Sequence, residues 1–267
     1  MRFSVSYILA TLILSQPVLA DPLLPLPSIP SIAQADGWAF AFGAAVEYEA
    51  LYDGADDYDV EAEPALLVQW RDGHQMWFLE GAELGWRALR GQHWLVQAGL
   101  RLEGGRDEDD ADALRGLGDT DDELTAMFEV RRGFGANWNN WLGARVMAGD
   151  GDIGTLGVLA GGHYFGANAV GTGLELIAFT TFGSAAFFER DFGISAAQSE
   201  ASGLAPTRFS GGYRSFGASL VGRWFPAERW QLSAELGYEK YNSDIADSPI
   251  ALRDYETEVG LTVVYLF

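Results

Sequence analysis

The 267-residue chain carries 38 acidic against 17 basic side chains, a formal net charge of −21, with 13% aromatics, 33 glycines and no cysteine. That balance excludes binding to nucleic-acid phosphates, which needs a basic face, and disfavours anionic headgroups unless divalent cations intervene. Without cysteine there are no disulfides, so the fold rests on sheet closure and burial.

The N-terminus reads as a secretory signal over 1–20: Arg2, an apolar run from Val5 to Leu14, and the small-residue site Val18-Leu19-Ala20. A Pro-rich segment, 21–36, follows, and Pro22 to Pro30 stop any helix. Beyond it no run of about eighteen uncharged apolar residues occurs, which excludes a spanning helix. The remainder, 37–267, is expected to be one domain.

From Trp38 onward the hydrophobic period is two. Trp38, Phe40, Phe42, Ala44, Val46 and Tyr48 alternate with Ala39, Ala41, Gly43, Ala45, Glu47 and Glu49. Similar runs occupy 60–71, 75–87, 93–104, 123–132, 137–148, 154–165, 172–183 and 214–225. Trp230 to Tyr238 and Tyr255 to Phe267 close the series. Strands of soluble sandwiches have about five or six residues, whereas a tilted membrane strand needs about nine to eleven. These runs match the second, and their apolar faces end in aromatics (Trp38 and Tyr48, Trp230 and Tyr238, Trp94, Trp224) placed as interfacial girdles. In hydrocarbon every backbone donor and acceptor must be paired, so such a sheet must close. The predicted fold is all-β: a closed antiparallel transmembrane β-barrel of 10–12 strands with a charged interior.

Eleven runs are evident, yet both termini on the periplasmic side require an even number. Either Phe187 to Ile194 adds a twelfth strand, or an early segment is not a full crossing. The inward face carries Glu47, Glu61, Glu63, Arg71, Arg101, Glu103, Glu129, Arg131, Arg145, Glu175, Arg223, Glu235 and Glu258. Charges of both signs suggest ion-pair networks plugging a narrow lumen, with Glu61 and Glu63 as members. A small acidic, cation-preferring pore is the alternative.

Three connections carry information. Arg106 to Glu123 holds nine acids and the base Arg115. It reads as a solvated loop with a short helical turn around Ala113 to Leu117, as a divalent-cation site, or as a partner-docking loop. As a docking loop it would use Asp107, Asp109, Asp110, Asp112, Asp119 and Asp121 as an acidic frame around Leu114 and Leu117, and Ala111 breaks an EF-hand spacing. Ser184 to Tyr213 holds Phe187, Phe188, Phe192, Leu204 and Phe209, and is expected to fold into the lumen or over the mouth as a plug or lid. Asn242 to Asp254 contains Asp247-Ser248-Pro249-Ile250, a turn signal.

Nothing points to catalysis. His74 falls in a tight turn, and His93 and His163 lie at strand ends, where interfacial histidines are ordinary; a serine nucleophile would need one of them. No phosphate-binding Gly loop and no Cys/His cluster is present, so no cofactor and no metal is expected.

The stretches GRDEDDADALRGLGDTDDE (105–123), FGISAAQSEASGL (192–204), DSPI (247–250) and the terminal VYLF resemble the MltA-interacting protein (MipA/OmpV) family. LYDGADDYDVEAEPAL (51–66) and ELGWRAL (83–89) are similar to it as well, so the likeness spans roughly 36–267. Asp191 stands where the family usually carries an aromatic. The resemblance implies a non-enzymatic barrel of the bacterial outer membrane, in contact with its lipid. It would act as a scaffold joining a murein lytic transglycosylase to a penicillin-binding protein, bound through periplasm-facing loops. The 106–123 loop is the candidate if strand parity turns it inward. Other members are described as adhesins or osmotically regulated proteins, which leaves an outer-surface adhesin and a small pore as alternatives.

Overall fold

A computed structural model describes residues 36–90, 93–135, 138–149, 153–166 and 172–267; the expected signal segment and most of the Pro-rich segment lie outside them. Twelve antiparallel strands form a closed barrel in which each pairs with its sequence neighbours and the last returns to the first. They are β1 (Gly37–Ala50), β2 (Tyr58–Asp72), β3 (Gln75–Glu80), β4 (Glu83–Arg90), β5 (Trp94–Glu103) and β6 (Glu123–Phe134). Then come β7 (Asn140–Ala148), β8 (Thr155–Gly166), β9 (Gly173–Gly183), β10 (Gly212–Ala227), β11 (Trp230–Tyr241) and β12 (Tyr255–Leu266). Closure is made by β1 against β12 over Ala41↔Leu266 to Tyr48↔Val259. No described helix is long and apolar enough to cross a membrane.

The twelfth strand comes from a split, not from the loop. The run 75–87 turns at Gly81-Ala82, where Gly81 takes φ +56°, and Glu80 pairs with Glu83. Inward parity therefore jumps from Glu80 to Glu83 by an odd step, the mark of a two-residue turn. Phe187 to Ile194, expected as a possible strand, is instead mostly helix: α1 (Ala185–Phe192) starts at Ser184, whose side chain accepts from the Phe187 amide. A second helix, α2 (Ala196–Ser202), opens with a capping box between Ser195 and Gln198 and ends at Gly203 in the left-handed conformation.

The outer face is apolar in the middle and aromatic at both ends. Trp38, Trp70, Trp77 and Trp86 pair in one row across β1 to β4 near the termini. Tyr48 stacks on Tyr58 at the other end, with ring centroids 5.2 Å apart. Between the belts Phe42, Leu84, Phe128, Leu159, Leu236 and Leu261 are exposed, an arrangement that water penalises and acyl chains accommodate.

Even strand number puts both chain ends on one rim, beside the short turns. The longer connections (51–57, 104–122, 184–211 and 242–254) gather on the opposite rim. Because β3 and β4 have 6 and 8 residues while β2 has 15, β2 meets β3 only over Leu67 to Asp72. Among the described residues, Tyr58 to Ala65 face no strand on that flank, and the Leu66 carbonyl, accepting from Gly81, closes the hairpin. Backbone groups alternate sides along a strand, so Val60, Ala62 and Pro64 also project there. The Val60 amide donates to Asp59 Oδ1 at 2.7 Å, and Pro64 has no amide to leave unpaired. This edge is blunted by its own residues.

Candidate functional site

The mid-barrel lumen is filled from β2 to β10 by paired charges. Gln69 donates to Glu80 at 2.6 Å, Arg87 bonds Glu80 and Gln97, and Arg101 reaches Glu83 and Glu103. Arg145 bridges Glu83 at 2.6 Å and Glu129 at 2.8 Å. Arg131, paired with Glu129, lies over the Trp141 ring at 4.5 Å, and Trp141 Nε1 and Arg223 share Glu175. Buried charges persist only when paired and hydrogen-bonded in this way.

Above this layer the long connections interlock as a cap. Helix α1 turns Phe187, Phe188 and Phe192 into the mouth, against Leu156, Ile177, Phe179 and Val221 of β8 to β10 and Tyr241 of β11. A second apolar cluster joins four loops: Tyr52, Ala55, Leu114, Leu117, Ile194 and Ile250. Polar ties reinforce it, with Tyr52 Oη donating to the Ile250 carbonyl at 3.0 Å and Gln198 Nε2 to the Leu117 carbonyl at 2.7 Å. Ser248 Oγ donates to the Phe192 carbonyl, at the Ser248–Ala251 turn that Pro249 favours.

The plug seats on one side of the mouth. On the other, between β1, β12, the 104–122 loop and α1, lies a cavity of about 280 Å³. Its lining holds Glu49, Asp53, Glu61, Glu103, Asp110, Asp191, Glu256 and Glu258 against Arg106 and Arg190. Arg214 ties Asp53 of the cap to Glu239 of the wall. Arg106 Nη1 donates to the Asp191 carbonyl at 3.0 Å, while burial pushes the Asp191 carboxyl up to about 6, with Asp53 adding to the shift and Arg190 opposing it. Burial and nearby Asp56 push the Tyr52 phenol up to about 12.

The sequence-derived residues divide cleanly. Asp107, Asp109, Asp110, Asp112, Asp119 and Asp121 are all exposed on the loop rim. Leu114 and Leu117, expected between them as docking contacts, are buried in the cap's own core, and only a 3-10 turn, Asp112–Leu114, forms there. The loop is held by Glu108, whose Oε2 accepts from the Gly116 and Gly118 amides. No group of carboxylates or histidines among the described residues has the geometry to hold a metal ion. Phe187, Phe188 and Phe192 are buried in the mouth, and Leu204 packs partly buried against the second cluster.

The family model for MltA-interacting protein MipA matches residues 42–267. The chain belongs to the MipA family. It is a barrel of the bacterial outer membrane. No curated protein sequence matches this MipA-family chain. Among solved structures it is similar to an outer membrane channel from Pseudomonas putida F1, with 13% identity, TM-score 0.43, and 88% of this chain and 97% of that one covered. The Ralstonia pickettii toluene transporter TbuX gives 7%, 0.46, 91% and 92%, and the Pseudomonas putida toluene transporter TodX 9%, 0.44, 94% and 95%.

Three residues of this MipA chain bear on the sequence reading. Asp191, between Arg190 and Phe192, lines the charged cavity. Glu61 and Glu63, expected as ion-pair members, have no basic partner: among the described residues no salt bridge reaches them, nor Glu47 or Glu235. The reason is register. The inward arginines at mid-height sit on β4 to β7 and β10, whereas β1, β2, β11 and β12 face inward there with Ala45, Gly260, Ser233 and these acids.

Proposed function

We propose that this chain is a non-enzymatic outer-membrane scaffold that holds a murein lytic transglycosylase, and with it a penicillin-binding protein, at the rim bearing its termini. The observation that carries the reading is the filled lumen: Arg145, Glu83, Glu129, Arg131 and Glu175 occupy the middle, and α1 seats three phenylalanines in the mouth. A barrel so occupied offers its rims rather than an open pore. The family's own description as MltA-interacting supports a murein-enzyme partner. The histidines fit a non-catalytic role: His163 bonds Asn140 at 2.8 Å and meets Phe165 edge-on on the outer face, and His74 and His93 are exposed at turns.

Outer-membrane barrels keep their short turns and termini on the periplasmic side. Docking of a periplasmic enzyme then falls to the turns near Gly73, Trp138 and Glu228. The acidic 106–123 loop, on the other rim, becomes a surface for partners outside the cell. Capture of a purified MltA-type transglycosylase by the detergent-solubilised barrel tests this. Replacing Asp72–His74 and Pro226–Arg229 with Gly-Ser turns abolishes capture, while Asp107, Asp109, Asp110 and Asp112 changed to Asn leave it intact. The opposite pattern, or no capture by the unaltered barrel, rejects the reading.

A further inference from the structure

The wall between β2 and β5 ends lower than the wall elsewhere, because the β3–β4 hairpin stops at Gly81-Ala82. The consequence is visible in side chains. Glu61 faces inward, paired across from Glu47, yet is exposed. Inward residues near the same rim on closed parts of the wall are not: Glu258 is 3% and Thr125 2% accessible. Glu61 on β2 and, at the end of β5, Glu103 to Arg106 are the two lips of this gap, and both lips line the 280 Å³ cavity that reaches inward to Glu256 and Glu258. The cavity thus has an exposed lining residue, Glu61, at the gap beside β2.

We propose that this gap is a side portal through which small organic cations, of polyamine size, enter the cavity beneath the loop cap. Three observations converge on it. The β2 edge is protected by Asp59 and Pro64 against pairing with another strand, so the gap is kept open rather than left as a docking edge. The mouth over β8 to β10 is shut by Phe187, Phe188 and Phe192, so access to the cavity falls on the β2–β5 side, where the exposed Glu61 and Asp110 line it. The lining sets the charge of the solute: eight carboxylates face the space with the guanidiniums of Arg106 and Arg190, and Arg101 and Arg214 pair with only two of the eight, Glu103 and Asp53. Glu47, across from Glu61 on β1, and Glu63, the next inward residue of β2, have no basic partner among the described residues. A cleft in which one sign of charge predominates concentrates the opposite ion, and a volume below roughly 300 Å³ admits only solutes smaller than drug-sized ligands. The paired layer of Arg145 and Glu129 lies beneath, so the solute is held in a vestibule. The portal stands whether or not the termini-side rim docks an enzyme.

The absence of cysteine makes thiol labelling a clean test on the folded, detergent-solubilised barrel. A Glu258→Cys variant places the thiol on the cavity wall. The trimethylammonium methanethiosulfonate reagent reacts there about tenfold or more faster than the sulfonate reagent, as expected for an acidic cleft. Spermidine slows that reaction and citrate does not. Adding Glu61→Trp at the lip slows labelling by the cationic reagent, with a Glu228→Cys control on the far rim unchanged. Should the tryptophan variant fail to fold, judged by the heat-modified band on gels, Glu61→Lys takes its place and reverses the reagent preference. Equal rates for the two reagents, no protection by spermidine, or labelling indifferent to residue 61 overturns the proposal.

Discussion

Arg145 Nη1 lies 2.6 Å from Glu83 Oε1 although the two residues sit on β7 and β4, with β5 and β6 between them. The guanidinium reaches across the curved wall to do so, and its other nitrogens bond Glu129. Both partners are buried. A pair of this kind adds little net stability, but removing one member strands a buried charge.

Arg145→Met therefore costs about 3–5 kcal/mol, since Glu83 and Glu129 lose a shared cation inside the barrel. Urea titration of the barrel in lipid vesicles, followed by tryptophan fluorescence, measures it. A loss below about 1 kcal/mol, the range of exposed pairs, would show that water or Arg131 and Arg101 already neutralise both carboxylates.

Leu261 is 57% exposed on the outer face, paired with Ala234 and Val46 between the aromatic belts. Leu261→Arg costs about 2–4 kcal/mol of folding free energy in bilayers, as expected for a cation near the midplane. The same titration reads it, and an unchanged midpoint would place this face against protein or water instead.

Leu114 is fully buried among Tyr52, Ile194 and Ile250. Leu114→Ala opens a cavity worth about 2–5 kcal/mol locally and exposes the 104–122 loop to protease. Arg115→Ala, which removes an exposed pair with Asp112, leaves cleavage rates as they were. Equal cleavage of both variants would mean the cap does not hold the loop.

The Asp191 carboxyl, raised from its usual 3.8 to about 6 by burial, gives the cap a defined pH response. The folded cap binds this proton more tightly than the unfolded chain does, so the contribution is fully present below about pH 4. It is lost as pH rises through 6, on the order of 2–3 kcal/mol in all. Hydrogen exchange of the α1 amides, corrected for intrinsic rates, shows opening increase from pH 4.5 to 7.5. Asp191→Asn flattens that rise, and an unchanged slope in the variant would assign it to another group.

The β2 edge is guarded by two residues. Asp59→Ala with Pro64→Val frees the Val60 amide and adds an amide at 64, and the variant self-associates edge to edge. Sedimentation in detergent detects the dimers, and a monomer indistinguishable from the unaltered protein would mean that other features shield the edge.

Which side chains face lipid was legible in the sequence, because the period of a strand is two whatever surrounds it. Trp38, Phe42, Leu236 and Leu261 lie outside and Glu129, Arg145 and Glu175 inside, as alternation requires. Strand number was harder. The run 75–87 keeps its apolar rhythm on both sides of Gly81-Ala82, and only the odd step from Glu80 to Glu83 betrays the turn. The aromatic segment after β9 reads from its residues as a loop or a twelfth strand, and the helix that Ser184 caps there is a finding of the structure.

By itself the sequence determined the closed all-β architecture and the charged interior, both being local regularities repeated along the chain. Only the tertiary structure decided that Leu114 and Leu117 serve the cap, that Glu61 and Glu63 have no basic partner among the described residues, and that a gap opens beside β2. Those outcomes depend on which residues register and closure bring together from distant strands. Charge pairing and cavity formation are properties of that juxtaposition, so no single stretch of chain encodes them.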